Sequence, residues 1–226
     1  MKPYYEHAGI TIYHGDAREV VPTLVDIETV LTDPPYGIKE RTDRKTGGRG
    51  KPVGNGFRHV DSRDWKPIIG DDTPFDPTYL LGFPKVILWG ANHYCDKLPG
   101  KPHWLIWDKR EETSSDDNAD CELAWSNLKG PARMHRQLWR GICKRGSENI
   151  SKGRAIVHPT QKPIALMKWC LLQAKSIGLV CDPYFGSGTT LRAAKDLGLL
   201  CIGVEIDEEY CEGTAKRLSQ EVLELS

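Results

Sequence analysis

The run of residues 33–36, Asp33, Pro34, Pro35 and Tyr36, constrains the fold because it ends a strand abruptly. The apolar run before it, residues 27–32, predicts a strand. Each proline fixes φ at about −65° and removes a backbone donor, so the strand stops here with its last carbonyls unpaired. Its end therefore offers a carboxylate, backbone oxygens and an aromatic face. These groups fit a planar amine, although a stiff turn with a chance Asp and Tyr has the same sequence.

A second strand ending lies late in the chain and leads into a helix. Residues 179–181 predict a strand that ends at Asp182, and residues 189–197 predict a helix that ends at Gly198. The residues between them, 185–188, are rich in glycine. Such a turn allows positive φ and lets a ligand approach the backbone, because glycine has no Cβ.

The spacing around this turn fits a ligand with a ribose. Glu205 follows Gly186 by 19 residues, close to the spacing of about 20 residues at which an acid binds a ribose hydroxyl. A nicotinamide enzyme is one alternative. Against it, Leu191 stands where the third glycine of the dinucleotide fingerprint would be, and Asp182 would repel a pyrophosphate.

The other segments predict an α/β protein with a Rossmann-like, mostly parallel twisted sheet and helices on both faces. In that fold, residues 33–36 and the glycine turn would lie side by side at the carboxyl ends of neighbouring strands, where ligands bind. The predicted strands are residues 9–14, 27–32, 85–89, 103–108, 121–126, 179–182 and 200–205, and the predicted helices are residues 17–21, 92–97, 163–176, 189–197 and 208–225.

Composition sets broad limits on the protein. The 31 basic and 31 acidic residues balance, so affinity for a polyanion must come from local patches. Seven cysteines without a C-x-x-C pair indicate a reducing cytoplasm and neither a disulfide framework nor a metal site. No apolar run approaches ~18 residues, so we expect neither secretion nor a membrane span. The 226 residues suit a single catalytic domain.

Two irregular, basic regions interrupt this domain. Residues 39–66 carry nine basic and four acidic residues with five glycines, which predicts a mobile loop whose net charge suits a phosphate backbone. Residues 127–157 carry eight basic residues against Glu148 alone, with Trp139 among them. Basic residues interleaved with an aromatic side chain are typical of nucleic-acid contact.

Four motifs together resemble the DNA amino-methyltransferases that use S-adenosylmethionine. They are residues 33–36, 158–163, 182–190 and 203–205. Their order resembles the circularly permuted β group, in which the catalytic tetrapeptide precedes the cofactor loop. The cationic sulfonium of that cofactor would tolerate an acid such as Asp182 nearby, and the resemblance implies no metal.

The resemblance implies transfer of a methyl group to the N6 amine of a flipped-out adenine. Asp33 and the Pro34 carbonyl would accept the amine hydrogens, and Tyr36 would stack on the base, so residues 33–36 form the implied catalytic set. The N4 amine of cytosine and structured RNA are alternatives, as is a non-catalytic DNA-binding partner. A protein-glutamine methyltransferase fits less well, because its tetrapeptide begins with Asn and follows the cofactor loop.

The resemblance also implies two further sets of residues. Asp16 could cap the helix at residues 17–21 as well as close the adenine end of the cofactor site. The start of the helix after Lys162 would suit the methionine carboxylate. The implied cofactor residues are Asp16, Ala17, Asp33, Thr160, Gln161, Lys162, Asp182, Phe185, Gly186, Ser187, Gly188, Thr189, Thr190, Glu205 and Ile206, and the implied DNA contacts are Tyr36, Arg133, Arg136, Trp139, Arg140, Lys144 and Arg145.

Weaker substrate candidates are Asn92, His93 and Tyr94, which lie just beyond a predicted strand end. Trp104 and Trp107 lie in a continuous apolar run and are predicted to be core. The expected partner is double-stranded DNA. A homodimer and a cognate restriction endonuclease are further partners that the resemblance allows.

Overall fold

The structure, a computed structural model, describes residues 1–39, 66–111, 119–140, 143–144 and 161–219. Nine of its strands form one sheet, and two short strands pair separately. The sheet contains β1 (Tyr5–His7), β2 (Ile10–His14), β3 (Ile27–Thr32), β4 (Lys85–Trp89), β5 (Trp104–Asp108), β6 (Cys121–Ser126), β7 (Arg133–Arg136), β10 (Leu179–Asp182) and β11 (Cys201–Glu205). The separate pair is β8 (Trp139–Arg140) with β9 (Cys143–Lys144).

The sheet confirms the predicted fold class. Its order is β1-β2-β11-β10-β3-β4-β6-β5-β7. Seven of these strands run in one direction, and β1 and β6 run in the other. The sheet is therefore mostly parallel, with antiparallel pairing at β1 and around β6.

The strand order reverses between β10 and β3. The chain passes from β10 to β11 on one side of this pair and from β3 to β4 on the other. β10 and β3 are parallel neighbours, with Cys181 opposite Val30. Ligands of open α/β sheets bind in the crevice at such a switch point, outside the carboxyl ends of the strands. Both motif-bearing strands end at this crevice.

The helices cover the two faces of the sheet unequally. The α-helices are α1 (Ala17–Val20), α2 (Ile164–Gln173), α3 (Thr189–Asp196) and α4 (Glu208–Ser219), and the 3₁₀ helices are Val21–Thr23, Thr78–Leu80, Ala91–His93 and Cys95–Lys97. Buried residues of α2, α3 and α4 share one core cluster, whereas α1 and Leu80 belong to the other. The predicted helix at residues 92–97 is two 3₁₀ turns, because Tyr94 between them has φ −142° and ψ 31°.

Strand β4 shows why the central strands are apolar throughout. Ile87 and Trp89 pack into the cluster under α2 to α4, while Val86 and Leu88 pack into the cluster on the opposite face. A strand covered on both sides needs apolar residues at every position. The adjacent half of the sheet is covered as well, since Trp107 is fully buried there. Trp104 is only partly buried, against the second cluster.

The two predicted irregular regions are described only in part. Of residues 39–66, the stretch 40–65 lies outside the described residues. Within 127–157, residues 133–136 form β7, which pairs in parallel with β5 at the edge of the sheet. An exposed edge strand needs no apolar face, so its sequence gave no strand pattern. The division into one domain with two insertions stays a prediction.

None of the described helices combines the length and the apolar character that a membrane crossing needs.

Candidate active site

A cavity of about 260 Å³ opens at the switch point between β10 and β3. Residues 33–36 form one wall at the end of β3. Gly186, after β10, and Glu205, at the end of β11, line the cavity as well. The two motifs, about 150 residues apart in sequence, therefore meet in one pocket, as the sequence predicted.

The described lining of the cavity is rich in carboxylates. Five carboxylates stand against one cation, the guanidinium of Arg18, which donates to the hydroxyl of Tyr184. This charge pattern favours a cationic ligand over a phosphate. The five carboxylates belong to Asp16, Asp33, Asp71, Glu205 and Asp207.

Glu205 is held in place by the glycine turn. Its Oε2 accepts the N–H of Gly186 at 3.0 Å, and its Oε1 accepts the N–H of Asp207 at 2.9 Å. Burial raises the pKa of Glu205, and these two N–H donors oppose the rise. Gly186 has φ 46°, a conformation that suits glycine. The turn thus presents a fixed carboxylate to the cavity.

Asp16 lines the cavity and caps α1. Its Oδ1 accepts the N–H of Arg18 at 2.8 Å, so the predicted cap is confirmed. Ala17 and Ile206 also line the cavity. Ile206 is 43% exposed, which leaves apolar surface beside Glu205 for a ligand.

Two other glycines, Gly188 in the turn and Gly203 in β11, allow neighbouring elements to pack closely. A Cβ on Gly188, where φ is +74°, would lie 2.4 Å from Cγ2 of Thr214 on α4. A Cβ on Gly203 in β11 would lie 2.6 Å from the ring of Phe185. Gly188 therefore lets α3 begin against α4, and it does not line the cavity.

Asp182 does not line the cavity either, because its carboxylate turns into the protein. Its Oδ1 accepts the hydroxyl of Thr32 at 2.6 Å and the N–H of Tyr184 at 3.1 Å. Burial raises the pKa of Asp182 to about 6, against hydrogen bonds that lower it. Asp182 thus ties β10 to β3 beneath the cavity. Four more of the predicted cofactor residues are buried outside the lining, namely Phe185, Ser187, Thr189 and Thr190.

The carboxylate of Asp33 receives two donors from different parts of the chain. The hydroxyl of Tyr36 donates to Oδ1, and the ammonium of Lys162 donates to Oδ2. Burial raises the pKa of Asp33, while the charge of Lys162 acts in the opposite direction. The side chain of Asp33 is still 18% exposed, on the cavity side.

The ring of Tyr36 is already stacked in the free protein. It lies against the ring of His93 with centroids 4.9 Å apart and planes at 16°. A Cβ on Gly90 would lie 1.9 Å from Cε1 of Tyr36, so the ring also packs closely on the backbone after β4. A base that stacks on the face of Tyr36 covered by His93 must displace His93.

Lys162 does not line the cavity, contrary to its expected place in the cofactor site. Its side chain is only 4% exposed. A buried ammonium needs anionic partners, and Lys162 finds them in Asp33 and in Glu122, whose Oε2 lies 3.1 Å away. Gln161 is partly buried and also lies outside the lining. Thr160 falls outside the described residues.

The DNA methylase family N6_N4_Mtase matches residues 89–217, which is more than half of the chain. The chain belongs to this DNA methylase family. The match includes the glycine turn and Glu205, and it begins after residues 33–36.

Individual proteins of known activity or structure are similar to almost the whole chain. The type II methyltransferase M2.LlaDCHI of Lactococcus lactis subsp. cremoris is 25% identical over 255 residues, covering 97% of this chain and 93% of that protein. The crystal structure of the M1.HpyAVI-SAM complex is 21% identical with a TM-score of 0.53, covering 93% of this chain and 100% of that one. PvuII DNA methyltransferase (cytosine-N4-specific) is 14% identical with a TM-score of 0.59, covering 100% and 91%.

The residues that were predicted to contact DNA differ in their exposure. Arg133 and Arg136 are exposed on β7, and Nε of Arg136 lies 3.7 Å from Oδ2 of Asp108. Trp139 instead packs partly buried against Trp107, with ring centroids 6.3 Å apart. An indole next to a core tryptophan is held by apolar burial. The side chains of Arg140 and Lys144, and all of Arg145, fall outside the described residues.

Several lining residues of the methylase were not predicted. Tyr184 lies inside the motif of residues 182–190, and Arg18 follows the predicted cap at Asp16, so the sequence around each carried a signal. Asp207 and Tyr210 line the cavity after Glu205. Residues 67–71 gave no local signal. They reach the cavity because Asp71 accepts the N–H of Gly37 at 2.8 Å, which joins them to the chain after Tyr36.

Across the described ranges, no group of three or more His, Cys, Asp or Glu side chains could hold a metal ion.

Proposed function

We propose that this DNA methylase transfers a methyl group from S-adenosylmethionine to the N6 amine of an adenine at a specific DNA sequence. One observation carries the proposal. The strand ending of Asp33 to Tyr36 and the turn of Gly186 with Glu205 line the same cavity at the switch point. An amine site and a nucleoside site that share one pocket suit transfer between them.

The cavity fits S-adenosylmethionine by its charge. When bound, the cofactor supplies an electrophilic methyl group on a positively charged sulfur. A lining with five carboxylates stabilises a sulfonium and an ammonium group. Glu205 is the residue proposed to bind the ribose, and Asp16, Ala17 and Ile206 the residues proposed at the adenine end. The fold likeness to M1.HpyAVI, which is described as a SAM complex, agrees with this choice.

Asp33 and the carbonyl of Pro34 are the proposed acceptors of the two amine hydrogens. The amine nitrogen of adenine is a poor nucleophile, because its lone pair is delocalised into the ring. Each oxygen of Asp33 has two lone pairs. Tyr36 and Lys162 use one on each oxygen, so Asp33 keeps room for an amine hydrogen. Fixed acceptors of this kind gain rate through positioning and electrostatics.

The target base must leave the duplex to reach Asp33. Flipping costs a few kcal/mol, and stacking on Tyr36 would return ~1–3 kcal/mol. Adenine is preferred to cytosine because the tetrapeptide begins with Asp, a family tendency in adenine enzymes. The exposed arginines of β7 are proposed to bind the DNA backbone. A homodimer and a companion endonuclease are proposed from the family resemblance alone.

The test is incubation of the protein with DNA and isotope-labelled S-adenosylmethionine, followed by mass spectrometry of the nucleosides and mapping of the methylated sites. The expected product is N6-methyladenine in one sequence context. N4-methylcytosine would move the proposal to the other amine. Cofactor and DNA binding without any methylated nucleoside would support a non-catalytic partner and contradict the proposal.

A further inference from the structure

Four side chains of alternating charge form a row that begins at Asp33, a residue of the cavity lining. Oδ2 of Asp33 accepts from Nζ of Lys162. Lys162 also lies 3.1 Å from Oε2 of Glu122 on β6. The other oxygen of Glu122, Oε1, accepts from Nζ of Lys109 at 2.9 Å. We call Asp33, Lys162, Glu122 and Lys109 the charge row.

Because Lys162 and Glu122 are buried, the charge of each depends on its neighbours in the charge row. Burial alone would lower the pKa of Lys162, but the carboxylates of Asp33 and Glu122 outweigh it and raise that pKa. Burial alone would raise the pKa of Glu122, but Lys162 and Lys109 lower it to about 2. Lys162 and Glu122 are therefore both charged at neutral pH. The row has no net charge when Asp33 is ionised, which is the arrangement a buried network needs.

Lys162 also fixes the plane of the Asp33 carboxyl group. Its ammonium holds Oδ2, while Tyr36 holds Oδ1. The same ammonium lies 3.4 Å from the hydroxyl of Tyr36 and 5.8 Å from the ring centroid of Trp89. Lys162 therefore contacts both Asp33 and Tyr36, although it does not itself line the cavity.

We propose that Lys162 and Glu122 are positioning residues that orient the Asp33 carboxylate toward the amine and set its charge, with opposite effects. Lys162 favours the ionised carboxylate. Glu122 shares the ammonium with Asp33 and weakens that effect, so Asp33 stays a strong hydrogen-bond acceptor. This inference rests on the proposed role of Asp33, and it assigns roles to two residues that do not line the cavity.

The other groups that face Asp33 do not supply a second cation. The described titratable groups that act on it besides the charge row are hydroxyls and one carboxyl group. They belong to Tyr36, Tyr94 and Asp182. The electrostatic balance at Asp33 is therefore set mainly by Lys162 against Glu122.

The experiment compares Lys162→Met with Glu122→Gln, each close in shape to the native side chain. The titration of the Asp33 carboxyl group is followed by ¹³C NMR on protein without cofactor or DNA, with the resonance assigned by its loss in Asp33→Asn. Lys162→Met should raise the apparent pKa of Asp33 by about one unit or more, and Glu122→Gln should lower it. The matched control is Lys168→Met on α2, which removes the pair of Lys168 with Asp196 of α3, at 2.7 Å, and leaves the charge row intact.

Kinetics give the second readout. Because Asp33 must be ionised to accept hydrogen, the acid limb of kcat/KM should move to higher pH in Lys162→Met and to lower pH in Glu122→Gln. Calorimetric affinity for S-adenosylmethionine should match wild type in both. Opposite shifts separate a charge role from a loss of structure, which would move both variants the same way.

The Asp33 titration decides the inference. An unchanged Asp33 titration in both variants overturns it, and so does a shift in one common direction. If Lys162→Met does not fold, Glu122→Gln decides alone. If wild type methylates no DNA, the proposed function fails, yet the NMR titration still tests the charge row.

Discussion

A carboxylate that accepts hydrogens from a neutral amine must be ionised and held in one orientation. Asp33 is held by contacts with Tyr36, three residues later, and with Lys162, 129 residues later. The charge of Lys162 favours the ionised form, against burial, which raises the pKa of Asp33. The first contact follows from the local turn, whereas the second depends on the whole sheet. Residue identity alone therefore marks Asp33 as a candidate, and its surroundings give it a proposed function.

Asp33→Asn should lower kcat by about 10²–10³-fold, because the amide presents one acceptor and no charge to the amine. Cofactor affinity should fall much less than kcat, since the glycine turn and the four other lining carboxylates, Glu205 among them, are untouched. Single-turnover methylation and calorimetry measure the two quantities. Asp26→Asn, at the amino end of β3 and away from the cavity, is the control. Normal turnover in Asp33→Asn would contradict the role.

At the scale of elements, the carboxyl ends of the parallel strands carry the site and their amino ends carry structural contacts. Glu28 in β3 shows this clearly. Its Oε1 accepts from Nζ of Lys85 at 2.7 Å, and its Oε2 accepts the N–H groups of Ile177 and Gly178 at 3.0 and 2.8 Å. One side chain thus joins β3, β4 and the turn before β10.

Stability should depend on Glu28 at acid pH. The hydrogen bond from Lys85 is the main cause that lowers the pKa of Glu28 from 4.5 to about 2. Its contribution is therefore full above pH 4.5 and is lost as pH falls toward 2. Glu28→Gln should cost about 1–3 kcal/mol in the free energy of unfolding at pH 7. Urea unfolding at pH 7 and pH 3 measures this, and the cost should shrink at pH 3.

The control for that series is Glu6→Gln, on the exposed strand β1. It should leave the unfolding free energy near wild type at both pH values. An equal cost for Glu28→Gln at pH 7 and pH 3 would show that its charge does not matter.

The contact between α3 and α4 gives a second prediction at this scale. Gly188→Ala should destabilise the fold by about 1–3 kcal/mol, because a Cβ there meets Thr214 and φ is positive. Adding Thr214→Ser removes the nearest atom, Cγ2, and should restore part of the loss. Thermal or urea unfolding of the single and double variants measures the coupling. Additive effects would place the cost in the backbone conformation alone.

At the scale of the whole molecule, charge is distributed by region. The chain is neutral overall, yet the cavity lining is acidic and the edge strand β7 exposes arginines. An acidic pocket suits a cationic ligand, and a basic edge suits a polyanion. Both properties are compatible with a balanced composition, because each acts over a distance of about 8 Å in physiological salt.

Replacing Arg133 and Arg136 together by Gln should weaken DNA binding and reduce the salt slope of log K by about 1 for each lost phosphate contact. Fluorescence anisotropy between low and moderate salt measures the slope. Lys216→Gln is the control, since Lys216 is exposed on α4, whose Ser219 contacts Tyr5 of β1 at the opposite edge. A slope equal to wild type in the double variant removes β7 from the DNA interface.

Much of the architecture could be read from the chain because its signals are local. The prolines after β3 and the glycine turn after β10 fix backbone angles within a few residues. The cap at Asp16 needs only the next two residues. Strand β7 was missed because an exposed edge strand shows no apolar alternation. The packing of Trp139 on Trp107 is a tertiary contact that no local pattern shows, and the contact of Trp139 with DNA stays a prediction.

The sequence by itself determined where strands stop, which residues form the two motifs and the family to which they belong. Only the tertiary structure decided that Lys162 pairs with Asp33 and Glu122, that Asp182 turns inward, and that residues 67–71 complete the cavity. The reason is physical. Local backbone angles depend on neighbouring residues, whereas buried charges are paired by strand order and register, which join residues that are distant in the sequence.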